Sequence, residues 1–437
     1  MFKGLLSKLK SNELIQVASV NSLSVFVRLV TGFISSKFTA IFIGPSGMAI
    51  TGNLVNFSQS LENLSSLGFK NGMIKFVAEY KQDESRFKTI VSSGFIVALS
   101  IGFLLGIALF VFAKPLSAFV FNSDQYIYLF KISAFIMPFL TVQVFFVALL
   151  NGLKKVKDLV LINIVSYISS AGMIVYLMSI NQLKGALLAI VLTPLVLFLS
   201  LFLRFNLFLK LCQSISISSV SKAFFLKILS FFSMTLFSGI MMPFIFVVIR
   251  NYVINHVGVD EAGYWEGMRK ISNYFMLFVY TLFQMYLLPS LSEKNALLKN
   301  VVSHFYKMVL PIVLICFLVI YLLKVFIIKL VLTDAFLPMQ ELFLWQLIGD
   351  FFRIMFLTIS YQFLAKRMVG LYMVCEAIYM LLIYFLSIYF IDNFGLVGVV
   401  KAHALSCFIY LFVLLFVFRK TLFTPQVSTI HEADEKE

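Results

Sequence analysis

Charge is what this chain has least of. Charged residues make up 13% of its 437 positions, about half the share usual in a soluble domain. Its four cysteines, Cys212, Cys316, Cys375 and Cys407, stand singly and mostly inside apolar runs, which excludes a disulfide frame and a zinc motif. The four histidines are scattered, so no metal cluster can be drawn. No glycine-rich phosphate loop occurs, which excludes a nucleotide-driven machine. The opening MFKGLLSKLKSNE is basic and amphipathic but lacks the apolar core and small-residue cleavage site of a signal peptide, and reads as an uncleaved interfacial segment. No connection is long enough for a catalytic domain. The longest on the non-cytoplasmic side, around Lys114–Gln125, is too short for the acidic loop motif of a membrane polymerase or glycosyltransferase.

What is present is hydrocarbon. The chain is 61% hydrophobic, with mean hydropathy +0.99 and 51 phenylalanines. Twelve windows reach the length of about 20 apolar residues that crosses a bilayer: 14–36, 47–69, 89–112, 126–150, 159–180, 185–208, 224–249, 263–288, 302–324, 339–363, 368–391 and 395–418. The expectation is an all-α polytopic membrane protein of twelve spans. Lys and Arg are distributed 22 to one side of the spans and 6 (Lys37, Lys114, Lys184, Arg250, Lys324 and Lys329) to the other. That asymmetry places both termini in the cytoplasm. The polar tail ending HEADEKE reads as a disordered end. Net charge is +15, and loop orientation accounts for it without a nucleic-acid partner.

The halves echo each other at an offset of about 210–216 residues. Gly47 opens span 2 as Gly263 opens span 8. Lys154-Lys155 before span 5 matches Lys366-Arg367 before span 11, and Gly185-Ala186 matches Gly398-Val399. Six spans per half implies parallel repeats about a pseudo-twofold along the membrane normal, a transporter architecture. The expected division is an N-terminal lobe 1–212, a C-terminal lobe 213–420 and a tail 421–437.

Four spans carry a polar stripe. In span 8, Glu266, Arg269, Asn273, Tyr280 and Gln284 fall on one helical face with Lys270 at its flank. Span 1 carries Asn21, Ser24, Arg28 and Ser35. Span 2 carries Asn53, Asn56, Ser60, Asn63 and Lys70. Span 10 carries Gln346, Asp350, Arg353 and Ser360. Such stripes face a bundle interior or wet cavity rather than lipid. Arg28, Arg269, Lys270 and Arg353 outnumber the acids near them. A cationic cavity suits an anionic substrate, and guanidinium suits phosphate through paired hydrogen bonds. Asn53, Asn56, Asn273, Tyr280 and Gln284 suit sugar. Two alternatives stay open: Asp350 with Arg353, and Glu266 with Arg269 or Lys270, are spaced to form purely structural pairs. Glu62 falls opposite the asparagine stripe and Glu376 is a lone acid in span 11. Each is either a proton site or a satisfied polar contact. Pro138, Pro194 and Pro243 mark kinks or hinges.

The runs GYWEGMRKISNYFMLFVYTLFQMYLLPSLSE, LFLWQLIGDFFR, IGPSGMAITGNL and NGMIKFVAEY resemble the Wzx-type flippases, in order and through almost the whole chain to about Arg419. The likeness is strongest to the branch handling the enterobacterial common antigen lipid intermediate. It implies a MATE-like fold and movement of an undecaprenyl-pyrophosphate-linked oligosaccharide from the inner to the outer leaflet of the bacterial inner membrane. Arg28, Lys37, Lys75, Arg250, Asp350, Arg353 and Glu376 occupy positions that are polar or charged in the family. Arg269 and Lys270 depart from that branch, which favours an O-antigen repeat unit over the common-antigen intermediate. The combined reading is a secondary transporter, not an enzyme, coupled to a proton or sodium gradient through Glu62, Asp350 or Glu376 and needing no cofactor. The implied partners are the lipid-linked substrate, an O-antigen polymerase and a chain-length regulator, with the flippase itself a monomer. A drug exporter of the same fold would want net acidic stripes, and a lipid II flippase two further spans.

Overall fold

The computed structural model describes residues 13–66, 69–221, 232–293 and 297–423. The basic opening segment, the tail, and Lys222, Lys227 and Lys294 of the charge count lie outside them. Among the described residues every regular element is helical, and nine helices are long and apolar enough to cross a membrane. Three of the nine double back. The helix Glu13–Ser66 breaks at Gly44, Val156–Leu199 at Asn181 and Gln182, and Val369–Val417 at Gly395.

Close approaches show that these breaks are reversals. Residues eight apart on a straight helix stand about 12 Å apart, yet Gly185 lies against the Leu177 carbonyl and Gly398 against the Phe390 carbonyl. Likewise Gly32 packs on Tyr274 and Gly52 on Glu266. Positions 32 and 52 thus sit within about two turns of each other beside one helix, where a straight rod would part them by about 30 Å. The result is twelve spans: 13–43, 45–66, Glu84–Val111, Ile127–Gly152, 156–180, 183–199, Phe232–His256, Val259–Leu282, Leu298–Leu322, Phe343–Ala365, 369–394 and 396–417. They are numbered 1 to 12 below. An amphipathic helix, Phe69–Tyr80, lies between spans 2 and 3. Span 8 continues through a π-helical turn, Phe283–Leu287, to Ser292.

The sequence echo has a backbone counterpart. Lys154 and Arg367 have positive φ, 57° and 55°, 213 positions apart. The amides of Leu153, Lys154 and Lys155 donate to the carbonyls of Leu149, Asn151 and Leu150. Those of Lys366, Arg367 and Met368 donate to Gln362, Leu364 and Phe363 in the same pattern. The reversals at Gln182 and Gly395 share that offset, as do Gly185 and Gly398. A left-handed residue disfavours a side chain with Cβ. Its recurrence in non-glycine residues at Lys154 and Arg367 marks one turn used twice.

Among the described residues three apolar clusters form, the smallest joining Leu54 of span 2, Leu129 and Ile136 of span 4, and Leu187 and Val191 of span 6. One of the two larger clusters is built from spans 2 to 6 around Phe57, Phe130, Phe145, Phe146 and Leu149. The other is built from spans 7 to 12 around Met276, Phe283, Phe343, Phe363 and Tyr410, and takes in Ala40, Met48 and Ala49 from spans 1 and 2. Phenylalanines and leucines such as Phe103, Leu104, Phe135 and Leu322 are exposed on the outside, as a surface solvated by lipid tails requires.

Candidate functional site

The seam between span 2 and spans 7 and 8 is polar and buried. Arg250 is fully buried at its centre, although the charge count placed it in a loop. Span 7 runs on to His256, so Arg250 lies inside a helix and adds nothing to the loop asymmetry. Its Nη1 donates to Asn53 Oδ1 at 2.8 Å and its Nη2 pairs with Glu266 Oε2. Arg269 Nη1 reaches the same carboxylate oxygen at 3.4 Å. Asn53 Nδ2 donates to Asn251 Oδ1 at 2.7 Å and to the Val120 carbonyl at 2.8 Å. Asn251 Nδ2 in turn donates to the Phe119 carbonyl at 2.7 Å. The Asn56 carbonyl oxygen, oriented as the donors around it require, accepts from Arg250 Nη1 at 2.9 Å and Arg269 Nη1 at 3.2 Å. Glycine at 52 is required here, because a Cβ would strike the Glu266 side chain. Gly263, pressed on the Pro45 carbonyl, closes the same seam one turn earlier.

This placement revises the asparagine stripe. Asn53 and Asn56 are buried and bound to Arg250 and Arg269 in this conformation, not presented to a ligand. Their role here is to tie span 2 to spans 7 and 8. The Glu266–Arg269 pair does form, but Arg250 is the acid's nearer partner. Arg269 also stacks its guanidinium 3.9 Å from the Phe246 ring centroid, a favourable geometry for a desolvated cation.

Beside this network lies a cavity of about 60 Å³. Arg269, Ser272, Asn273, Gln346, Arg353 and His403 supply its polar wall, with Phe246 and Trp265. Spans 7, 8, 10, 11 and 12 all contribute. Arg353 does not pair with Asp350 as their spacing allows. Its Nη2 donates to Tyr280 Oη at 2.7 Å. Asp350 is fully buried and accepts from Ser272 Oγ at 2.6 Å and Gln346 Nε2 at 3.1 Å, with His403 Nε2 at 3.3 Å. Gly349 lets the imidazole approach this closely. From His403 the polar contacts continue inward. Cys407 Sγ lies 3.7 Å from His403 Nδ1, and Tyr379 Oη lies 3.6 Å from Cys407 Sγ. The Tyr379 and Tyr410 rings are 4.8 Å apart, with Glu376 beside Tyr410.

The remaining candidates are dispersed. Asn273 is exposed on the cavity wall and Gln284 is exposed beyond it, within the π-helical turn that shifts the register of span 8. Lys270 is half-buried, with no ion pair among the described residues. Glu62 is exposed on span 2, and Arg28 is exposed on span 1 with its guanidinium 6.0 Å from the Tyr167 ring. The span-10 stripe revealed Asp350 but not its partner. His403 and Cys407 are four apart and share a face, a signal that scattered histidines and cysteines obscured.

Known proteins can now be compared with this arrangement. A profile of the family described as polysaccharide biosynthesis protein matches residues 14–295. The chain belongs to that family. Over 392 residues it is 26% identical to a protein named lipid III flippase from Escherichia coli (strain K12), covering 89% of this chain and 94% of the relative. Among solved structures it is similar to an inward-facing MATE multidrug resistance transporter of the MOP superfamily. That likeness has a TM-score of 0.68 and 15% identity over 90% of this chain and 94% of that one. It is also similar to the lipid II flippase MurJ in an inward closed conformation, with a TM-score of 0.66 and 15% identity over 93% and 87% of the two chains. The family member described here thus has the MATE and MurJ fold. The match ends before span 9 begins, so the buried Asp350–His403 pair lies beyond the residues the profile matches.

Proposed function

We propose that this protein is a flippase carrying an undecaprenyl-pyrophosphate-linked oligosaccharide from the cytoplasmic to the periplasmic leaflet of the bacterial inner membrane. The observation that carries the reading is a pair of guanidinium groups, Arg269 and Arg353, on the wall of one cavity inside a membrane-crossing bundle. Buried cations in such a bundle mark a substrate path, and guanidinium groups bind phosphate oxygens through paired hydrogen bonds. Asn273 on the wall, Tyr280 bonded to Arg353, and Gln284 beyond the cavity offer groups suited to sugar. About 60 Å³ holds water and no oligosaccharide, so transport requires the wall to part. We assign the parting bodies to lobes 1–212 and 213–420, with Arg250, Glu266, Asn53 and Asn56 as the latch between them. Arg28 and Lys270 are the further cations the opened cavity would present.

Coupling is assigned to Asp350 with His403, since their contact puts a carboxylate and an imidazole, two proton-exchanging groups, side by side inside the bundle. Glu62 and Glu376 are the other acids for this role. The driving force is a proton or sodium gradient. The sugar is read as an O-antigen repeat unit. The full-length likeness to a lipid III flippase favours a second reading, the enterobacterial common antigen intermediate. Polymerase and chain-length regulator are assigned as partners of a monomeric flippase, with both termini cytoplasmic.

The test is complementation of strains lacking either flippase, read as surface polysaccharide with expression checked by immunoblot. Restoration of O-antigen alone supports the first reading, and of common antigen alone the second. Failure in both, with the protein in the membrane, overturns the function. Labelling of a single cysteine in the 70–88 loop by an impermeant reagent in cells with an intact inner membrane would overturn the orientation.

A further inference from the structure

Span 1 has two unlike faces. Gly32 and Ser36 meet Tyr274 of span 8, with Ser36 Oγ 2.7 Å from Tyr274 Oη. On the opposite face, Val27, Val30, Ile34 and Phe38 form one wall of a groove whose other wall includes Gly172 and Val175 of span 5. The groove measures about 710 Å³. A Cβ built on Gly172 meets nothing within 4 Å, so this glycine keeps space open without closing a helix contact. Val27 to Phe38 spans about 16 Å at 1.5 Å per residue, roughly half the hydrocarbon thickness of a bilayer.

Arg28 stands between the two faces. At 100° per residue it lies about a quarter turn from the middle of the groove face and less than that from Gly32. It is exposed, its guanidinium is 6.0 Å from the Tyr167 ring, and no described residue forms an ion pair with it. It also sits near the middle of span 1, about 22 Å from Glu13 along the helix axis. A resident phospholipid keeps its phosphate at the bilayer surface and has no use for a cation at that depth. A lipid in transit brings its phosphates there.

We propose that the groove between spans 1 and 5 seats the polyprenyl chain of the substrate during translocation, with Arg28 at its mouth holding the pyrophosphate between groove and central seam. This rests on the flippase reading. It adds that the chain is bound by the protein and is not left free in the bilayer. The groove runs from the depth of Arg28 toward the Gly44 turn, so the part of the chain nearest the headgroup can lie in it over about one leaflet's depth while the headgroup is still midway. Charge complementarity at the mouth and an apolar wall beyond it match the two ends of one molecule.

The test uses proteoliposomes, a polyprenyl-pyrophosphate oligosaccharide with an undecaprenyl chain, and the same headgroup on a two-isoprene chain. A photoreactive residue at Ile34 or Val175 should crosslink the long-chain substrate. The same probe at Ile107, exposed on the outer face of span 3, should not. Gly172→Trp, which fills the groove, should abolish that crosslink and reduce the preference for the long chain by at least about tenfold, since apolar burial scales with chain length. Transport of the short-chain substrate reports that the variant is folded. Equal crosslinking at Ile34 and Ile107, with long-chain preference unchanged in a Gly172→Trp protein that still transports, overturns the groove and leaves the flippase reading standing. Crosslinking at Ile34 to phospholipid alone also overturns it. Absence of transport of either substrate by the native protein defeats the flippase reading instead.

Discussion

Arg250 of span 7 and Glu266 of span 8 form an ion pair in which the guanidinium is wholly buried, and the pair is tied to span 2 through Asn53 and Asn56. A charge pair taken out of water is held by its hydrogen bonds as much as by its Coulomb attraction. In this pair the guanidinium donates to Asn53 and Asn56, and the carboxylate also accepts from Arg269. It therefore acts as a joint that breaks only if several partners separate together, as the proposed latch requires.

Removing one partner should be worse than removing both. Arg250→Met leaves Glu266 with the weaker Arg269 contact, a loss of about 3–5 kcal/mol. The double variant Arg250→Met/Glu266→Met should recover part of it. Thermal unfolding of the detergent-solubilised protein measures both. Additive losses in the two single variants would show that the residues do not act as a pair.

Arg28 should behave as a binding residue and not as a structural one. Arg28→Ala should lower transport by roughly 10- to 150-fold, the range for losing a hydrogen bond to a charged group, while unfolding temperature stays unchanged. Arg28→Lys should be milder, since it keeps the charge and loses the fork geometry. In contrast, Arg269→Ala should lose stability as well as transport, because Arg269 is also a partner of Glu266 and Phe246. The measurements are polysaccharide complementation and thermal unfolding. Full transport by both Arg28→Ala and an Arg269→Ala/Lys270→Ala double variant would remove these cations from the site.

Asp350→Asn and His403→Gln should uncouple transport from an imposed ion gradient, and Asp350→Asn should do so with substrate binding retained, because Asp350 does not line the cavity while His403 does. Glu376→Gln and Glu62→Gln separate the remaining acids. Gradient-driven uptake into vesicles is the readout. Native transport that persists when both proton and sodium gradients are collapsed would end the coupling proposal for all four residues.

Gly185 and Gly398 should be equally intolerant of a side chain. Each faces the carbonyl of the residue eight positions earlier across a reversal, and backbone cannot move aside as a flexible side chain can. Gly185→Leu and Gly398→Leu should each cost about 1–3 kcal/mol or more, whereas Gly172→Ala, in open space, should be neutral. Fluorescence-detected size exclusion after heating ranks the three. A tolerant Gly185 beside an intolerant Gly398 would break the equivalence of the two hairpins.

Hydropathy alone determined that the chain crosses a membrane, because the length of an apolar run is a local property with one physical use. The twelve spans were legible for that reason, as was the repeat, since the turn at Lys154 and Arg367 and the close packing at Gly185 and Gly398 are imposed by adjacent residues. Helical spacing also placed Arg269, Asn273 and Arg353 on inward faces. Pairing was not legible. Glu266 and Arg269 sit one turn apart and do touch; Asp350 and Arg353 have the same spacing and do not, because His403 of span 12 and Tyr280 of span 8 supply partners from outside the helix. Arg250 read as a loop residue because it stands near the end of an apolar run, and only its meeting with Asn53, almost two hundred residues away, carries it inside. Periodicity reports which way a side chain points along its own helix. Which group waits there depends on how the helices pack, and that is decided by the tertiary structure.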